Sequence, residues 1–302
     1  MRPAYDMDGF LEAYDKVMGK WPAEREAMTV PTPFGTTYVN VCGPLRGPAV
    51  VLLPGGGGAT SASWYAQSAD LARTHRVFAV DLPACAGRGT EAGDRHPRTV
   101  ADLVAWLEAV LDELGLEETD LGGHSYGGWI SLHYALHARA RVRRLFLLDP
   151  VMCFAGFRPA YLLRALPLML RPTPARARAF LEWETRGATG TVAGGATEGE
   201  AGGVLLDPDW LRLQEAAAGF PSVSKPVTGP RPAPAALRGL NAPVLLLLAG
   251  NSRTHDACKV APRADALLPR VETVVLPHVS HHALPQSAPP ELGRRLTEFL
   301  NA

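Results

Sequence analysis

One stretch decides the fold of this chain: residues 119–135 read TDLGGHSYGGWISLHYA, from Thr119 to Ala135. Its first residues, Thr119–Gly122, predict a short strand, and Gly127–Ala135 predicts a helix. Between them, Gly-His-Ser-Tyr-Gly places Ser125 on a sharp strand-to-helix turn, where small neighbours let the backbone segments approach closely. This context favours Ser125 as an attacking nucleophile over an incidental serine in a glycine-rich turn.

Short apolar runs alternate with amphipathic segments through most of the chain. The clearest helix is predicted over Thr99–Leu114, whose apolar residues recur on one stripe. Continuous apolar strands separated by helices indicate a parallel sheet that is buried on both faces. The predicted strands are Ala49–Pro54, Arg76–Leu82, Thr119–Gly122, Arg144–Asp149, Pro243–Gly250 and Glu272–Pro277.

An antiparallel hairpin is predicted ahead of these strands, because Glu26–Val30 and Thr37–Val41 flank a turn that contains Pro33-Phe34-Gly35. With the hairpin, the pattern predicts an α/β fold with a mostly parallel, eight-stranded sheet flanked by helices. Residues 1–25 are expected to form a helical extension outside the sheet.

The interval between two of the strands is too long for an ordinary crossover. It spans residues 151–241 and opens with apolar residues that include Phe154, Phe157 and Tyr161. We therefore expect residues 151–241 to be an inserted helical lid on a core formed by residues 1–150 and 242–302. Within the lid, Arg186–Gly203 has too little apolar surface to pack, and we expect it to be poorly ordered.

Composition argues against several classes of partner. The 302 residues carry 30 basic and 30 acidic side chains, which gives no electrostatic case for nucleic acid or an anionic membrane surface. The longest apolar run is too short to cross a bilayer, and the first residues lack the apolar core of a secretory signal. The four cysteines are widely spaced and favour a cytoplasmic protein with reduced thiols.

A run of glycines, Gly55–Gly58, follows the first predicted parallel strand. In enzymes with this kind of serine turn, the loop after that strand supplies one backbone N–H to the oxyanion, and the residue after the nucleophile supplies another. These donors are expected to be Gly56, with Gly57 next, and Tyr126. The chain lacks the motifs of a phosphate-binding loop.

A histidine base is expected after the last strand, where His281 and His282 are adjacent. Counting forward from Pro277 in the usual pattern of these enzymes leads to His281. Counting back from the terminal helix leads to His282. We favour His282, because its downstream register matches the usual one, and keep His281 as the alternative.

The acid that orients the histidine has two candidates. Its usual place, about three residues past Gly250, holds Arg253, which cannot serve. Asp149 ends a predicted strand, where it could instead bond only local amides. Asp256 precedes a predicted helix, where it could instead be only an N-cap. We favour Asp149 and keep Asp256 as the alternative.

These motifs give the chain a resemblance to the α/β-hydrolase superfamily over residues 28–302. Within it, the chain resembles the lidded bacterial carboxylesterases, which can share the segment Tyr14 to Trp21-Pro22 and the hairpin Pro33-Phe34-Gly35. Dehalogenases and pancreatic lipases of the superfamily place their acid at the strand end that matches Asp149. Dehalogenases use an aspartate nucleophile, so Ser125 does not imply their chemistry.

The resemblance implies hydrolysis of a small-molecule ester or thioester with an apolar acyl part, and no metal or organic cofactor. The lid aromatics Phe154, Phe157, Tyr161 and Trp183 are candidates to line an apolar pocket or to serve only in packing. Acyl transfer or cyclisation by the same residues is an alternative. Another is a ligand-binding protein that has lost efficient turnover, and the oligomeric state is left open.

Overall fold

A central sheet organises the computed structural model, which describes residues 5–22, 24–91, 95–188, 206–221, 226–286 and 290–302. Within these ranges the sheet runs in the order β1-β2-β4-β3-β6-β7-β8-β9, and β5 pairs with β2 beside this path. The strands are β1 (Arg25–Thr32), β2 (Gly35–Cys42), β3 (Ala49–Leu53), β4 (Arg76–Val80), β5 (Thr90–Glu91), β6 (Thr119–His124), β7 (Val142–Leu148), β8 (Val244–Ala249) and β9 (Val271–Leu276).

The hairpin of β1 and β2 forms one edge of the sheet and also pairs antiparallel with β4. From β4 onward the neighbouring strands are parallel. The prediction of a mostly parallel, eight-stranded α/β sheet is therefore confirmed. The crossing from β3 to β6 brings the glycine loop and the serine turn to the same carboxyl edge of the sheet.

Helices cover both faces of the sheet. The predicted helix at Thr99–Leu114 is α3, which starts after Thr99 in a capping box with Asp102. The α-helices are α1 (Met7–Met18), α2 (Tyr65–Leu71), α3 (Val100–Glu113), α4 (Ser125–His137), α5 (Pro159–Leu170), α6 (Pro174–Thr185), α7 (Pro208–Ala217), α8 (Pro234–Arg238), α9 (Ala257–Leu267) and α10 (Pro290–Asn301).

The core consists of two apolar layers, one on each face of the sheet. One layer packs the sheet against α3, α4 and α9, and the other packs it against α1, α2, α7 and α10. Strand β8 is buried at every position, which explains why its sequence is an uninterrupted apolar run. Because both faces are covered, side-chain chemistry is concentrated at the carboxyl ends of the strands.

The interval expected to form a lid contains α5, α6, α7 and α8 among its described residues. Residues 189–205, which include most of the segment expected to be poorly ordered, lie outside the described ranges, as do residues 222–225. Helix α6 contacts the turn at His281–Ala283, while α1 contacts α7. Across the described residues, none of the helices is both long and apolar enough to span a membrane.

Gly122 on β6 provides a test of how tightly the central strands pack. A methyl group at this position would lie 1.9 Å from the ring of Phe146, which is wholly buried on β7. We predict that Gly122→Ala lowers the free energy of unfolding by roughly 2 kcal/mol, because overpacking a full core forces shifts in its neighbours. Urea unfolding measures the change.

The control for this test is Gly156→Ala, because no heavy atom lies within 4 Å of the added methyl group. Equal unfolding midpoints for the two variants would contradict the packing argument.

Candidate active site

Ser125 stands at the junction between β6 and α4, with a backbone φ of 52°. Few non-glycine residues adopt this left-handed conformation, which here turns the strand sharply into the helix. The side chain is 9% exposed at the carboxyl edge of the sheet. The predicted strand-turn-helix context of the serine is thus present in the structure.

The glycines on either side of Ser125 permit this turn by close contact. A Cβ at Gly123 would lie 2.4 Å from the backbone carbon of Gly127. A Cβ at Gly127 would lie 2.3 Å from the backbone oxygen of Pro54. Both contacts are with backbone, which cannot rotate away as a side chain can, so the turn requires glycine at each position.

His281 lies between Ser125 and Asp149. Its Nδ1 is 2.6 Å from Asp149 Oδ2, and its Nε2 is 2.8 Å from Ser125 Oγ. Since an ionised carboxylate only accepts, Nδ1 carries the proton and donates it to Asp149. The unprotonated Nε2 then accepts the hydrogen bond of the serine hydroxyl, which is the arrangement a general base requires.

The structure places His281, and not the preferred His282, against Ser125. Both histidines lie in a 3-10 turn, His281–Ala283, where neighbouring side chains project roughly 120° apart, so only one can face Ser125. The ring of His282 stacks on Tyr161 of α5, whose hydroxyl is 3.0 Å from His282 Nε2. Burial holds the pKa of His282 well below its usual value, so the ring is neutral near pH 7. His282 therefore packs against α5 and does not face Ser125.

Asp149 follows β7 and is wholly buried, with a φ of 43°. Besides His281, its carboxylate accepts hydrogen bonds from the Ala249 amide at 3.0 Å and from Ser252 Oγ at 2.9 Å. It also accepts one from His255 Nε2 at 2.9 Å. Burial alone would raise the pKa of Asp149, but the adjacent histidines hold that pKa well below its usual range.

The alternative acid, Asp256, lies elsewhere. Its side chain caps α9 by accepting from the Cys258 amide at 3.1 Å, and it lies 3.7 Å from an Arg158 nitrogen. Arg253, which occupies the usual position of the acid, places its guanidinium 4.9 Å from the centre of the Trp183 ring. The structure therefore brings Asp149, and not Asp256, to His281.

The glycine loop packs against the serine turn. A Cβ built on Gly55 would lie 3.5 Å from the Ser125 Cβ, and one built on Gly56 would lie 3.4 Å from the Tyr126 Cβ. Gly57 has a φ of 82°, a conformation that favours glycine. The loop therefore packs beside Ser125 and Tyr126 at the carboxyl edge of the sheet.

Comparison with known proteins identifies the family. The description of the matching family model is alpha/beta hydrolase family, and the match covers residues 50–294. The chain is an α/β-hydrolase.

Relatives of this α/β-hydrolase include carboxylesterases of Bacillus subtilis (strain 168). Carboxylesterase YbfK is 29% identical over 292 residues, or 96% of this chain and 93% of the relative. An uncharacterized carboxylesterase, nap, is 27% identical over 293 residues, or 97% of this chain and 92% of the relative. The crystal structure of carboxylesterase CesB (YbfK) matches with a TM-score of 0.83 at 27% identity and covers 96% of each chain. The resemblance to bacterial carboxylesterases is confirmed.

Sequence reasoning missed several residues that hold this site of the α/β-hydrolase. Ser252 and His255 bind the Asp149 carboxylate from the loop after β8, and Glu184 of α6 accepts from the His281 amide. The signal for Ser252 and His255 was the loop itself, which lacks the usual acid yet carries polar side chains. Glu184 gave no signal, because a glutamate in an amphipathic helix is ordinarily solvated.

Three of the aromatics that were candidates for a pocket lining or for packing contact one another. Phe154 is buried in the core, and Phe157 stacks on Tyr161 at 5.7 Å between ring centres. Tyr161 also contacts Trp183 at 6.4 Å. Within the described ranges, no group of three or more His, Cys, Asp or Glu side chains is arranged to hold a metal ion.

The conformation of Ser125 predicts a conflict between stability and the serine turn. We expect the free energy of unfolding of Ser125→Gly to be about 1 kcal/mol higher than that of Ser125→Ala, because only glycine adopts this φ without a steric cost. Both variants remove the hydroxyl, so their difference in urea unfolding isolates the backbone term. An alanine variant as stable as the glycine variant would show that the turn stores no strain.

Proposed function

We propose that this α/β-hydrolase is a serine carboxylesterase that acts through an acyl-enzyme. One observation carries the proposal: His281 is hydrogen-bonded to both Ser125 and Asp149 within a largely buried site. The carboxylesterase relatives support ester hydrolysis as the reaction class. In this proposal Ser125 is the nucleophile, His281 the base and Asp149 the acid.

Acylation begins when Ser125 Oγ attacks the ester carbonyl and His281 Nε2 takes its proton. The resulting imidazolium is stabilised by Asp149, whose carboxylate faces Nδ1. The carbonyl oxygen becomes negative, and the backbone amides of Gly56 and Tyr126 donate to it. Collapse of this intermediate returns the His281 proton to the departing alkoxide, so that an alcohol leaves and the acyl group stays on Ser125.

Deacylation repeats the same steps with water. His281 takes a proton from water as the water oxygen attacks the acyl carbon, and the same amides bind the second oxyanion. Collapse breaks the bond to Ser125 Oγ, which recovers its proton from His281. The products are a carboxylic acid and the original enzyme.

We also propose that the helices between β7 and β8 serve as a lid on the core. Helix α5 reaches the histidine turn through Tyr161, and α6 reaches it through Phe180, whose ring centre is 5.4 Å from that of His282. These contacts support the proposal, because they lie on the segment that carries the proposed base.

A fluorophosphonate probe tests the nucleophile, because it reacts covalently with an activated serine. We expect the wild-type enzyme to be labelled and to hydrolyse p-nitrophenyl esters, and Ser125→Ala to lose both properties. The matched control is Ser131→Ala, which changes a buried serine on the same helix and is expected to keep them. Labelling of Ser125→Ala at the wild-type level would refute the proposed nucleophile.

Paired variants test the base and the acid. We expect Asp149→Asn to lower kcat by about 10⁴-fold, as loss of the histidine-orienting carboxylate does in serine proteases. We expect Asp256→Asn to stay within about twofold of wild type, since exposed substitutions away from the chemistry have small effects. His281→Gln is likewise expected to abolish turnover, while His282→Gln keeps most of it. Reversal within either pair would overturn that assignment.

A further inference from the structure

Glu184 is a buried carboxylate that the proposed mechanism does not use. It is 1% exposed and lies in the last turn of α6. Burial raises its pKa, and the end of a helix is where the macrodipole disfavours a negative charge. A carboxylate in such a place requires donors from other parts of the chain.

The donors come from the histidine turn and from the loop after β8. Glu184 Oε1 accepts from the His281 amide at 3.2 Å, and Oε2 accepts from the His282 amide at 3.0 Å. Oε1 also accepts from the Arg253 amide at 3.4 Å. The first amides of a helical turn have no partners within it, so Glu184 acts as an N-cap that another element supplies.

We propose that Glu184 is a positioning residue for the proposed catalytic base: it holds the turn that carries His281 and places a negative charge beside that turn. This inference rests on the proposed function, since it assigns to the lid a part in that same reaction. The carboxylate fixes the backbone of His281, and the packing of Tyr161 and Phe180 fixes the neighbouring His282. The position of α5 and α6 on the core therefore also sets the position of the proposed base.

The charge of Glu184 also acts on His281. The attraction between the carboxylate and the His281 ring partly offsets the rise in the Glu184 pKa that burial causes. By reciprocity, the negative charge favours the imidazolium that forms when His281 takes the serine proton. Glu184 thus adds to the stabilisation of the His281 imidazolium that Asp149 provides.

Other charged and titratable groups face this pair. Those around Glu184 include the carboxylate of Asp149 and the hydroxyl of Tyr161. The groups around His281 include Asp149, His124 at 5.0 Å between ring centres, His282 at 4.9 Å and His255 at 6.5 Å. Burial lowers the pKa of His124 to about 3 and holds that of His282 low, so both are neutral near pH 7.

The test measures the rate at which a fluorophosphonate labels Ser125, as a function of pH, in Glu184→Gln and Glu182→Gln. Glu182 lies on the same helix but is 54% exposed, so its variant makes the same chemical change without touching the turn. We expect Glu184→Gln to lower the labelling rate on the plateau of the pH profile at least about tenfold. We also expect the acidic limb of the profile, where the rate falls as the pH is lowered, to move to lower pH, because a negative charge near the proposed base is lost. Glu182→Gln is expected to match wild type in both.

Glu184→Asp is the conservative variant, because it keeps the charge but shortens its reach. We expect it to lower the rate while leaving the acidic limb near that of wild type. If Glu184→Gln fails to fold by circular dichroism, this variant decides: a wild-type rate overturns the proposal, and a lowered rate with an unmoved limb supports it.

The remaining outcomes separate this inference from the proposed function. A wild-type enzyme that is not labelled at Ser125 refutes the proposed function itself. A labelled wild type with an unchanged Glu184→Gln refutes only the role of Glu184. A folded Glu184→Gln with a lower rate but an unmoved limb shows a merely structural carboxylate and overturns the proposal.

Discussion

The carboxylate of Asp149 is wholly buried, and a buried charge costs several kcal/mol unless donors surround it. Its donors come from β8, from the loop after β8 and from the histidine turn. These donors follow Asp149 by 100 to 132 positions along the chain, and the carboxylate bonds them all at one place. The alignment of His281 with Ser125 follows from this, because the ring is held at Nδ1 by Asp149 before it meets the serine.

The position of Asp149 explains the composition of the loop after β8. In the usual pattern that loop carries the acid, whereas here it carries Arg253, turned toward the Trp183 ring. The same loop instead supplies Ser252 and His255, which donate to an acid that stands one strand away. The Asp149 carboxylate raises the pKa of His255, although burial opposes the rise. The Asp149 carboxylate therefore follows β7 while its donors follow β8, and His281 still meets a fully bonded carboxylate.

How much the sequence could predict depends on the range of the interaction. The serine turn and the strands follow from glycine sterics and apolar runs, which are local, so the fold and the place of Ser125 were predictable. The sequence could not decide between His281 and His282, since the choice depends on the direction of a 3-10 turn and on Tyr161, more than a hundred positions away. Glu184 could not be found because its partners in the histidine turn are about a hundred positions away in the chain.

The two buried carboxylates of the site respond to pH in opposite ways. The pKa of Asp149 is depressed in the folded protein, so its ionised form stabilises the fold at neutral pH, and this contribution is lost only in strong acid. The pKa of Glu184 is raised, so its charge carries a cost at neutral pH that protonation removes.

As pH falls, Glu184 therefore takes up its proton before Asp149 does. Helix α6 loses this charge beside the histidine turn while the Asp149 carboxylate is still ionised and bonded. A carboxylate kept charged at such a cost is expected where the charge serves the chemistry, since an uncharged side chain of similar size would be more stable in the same place.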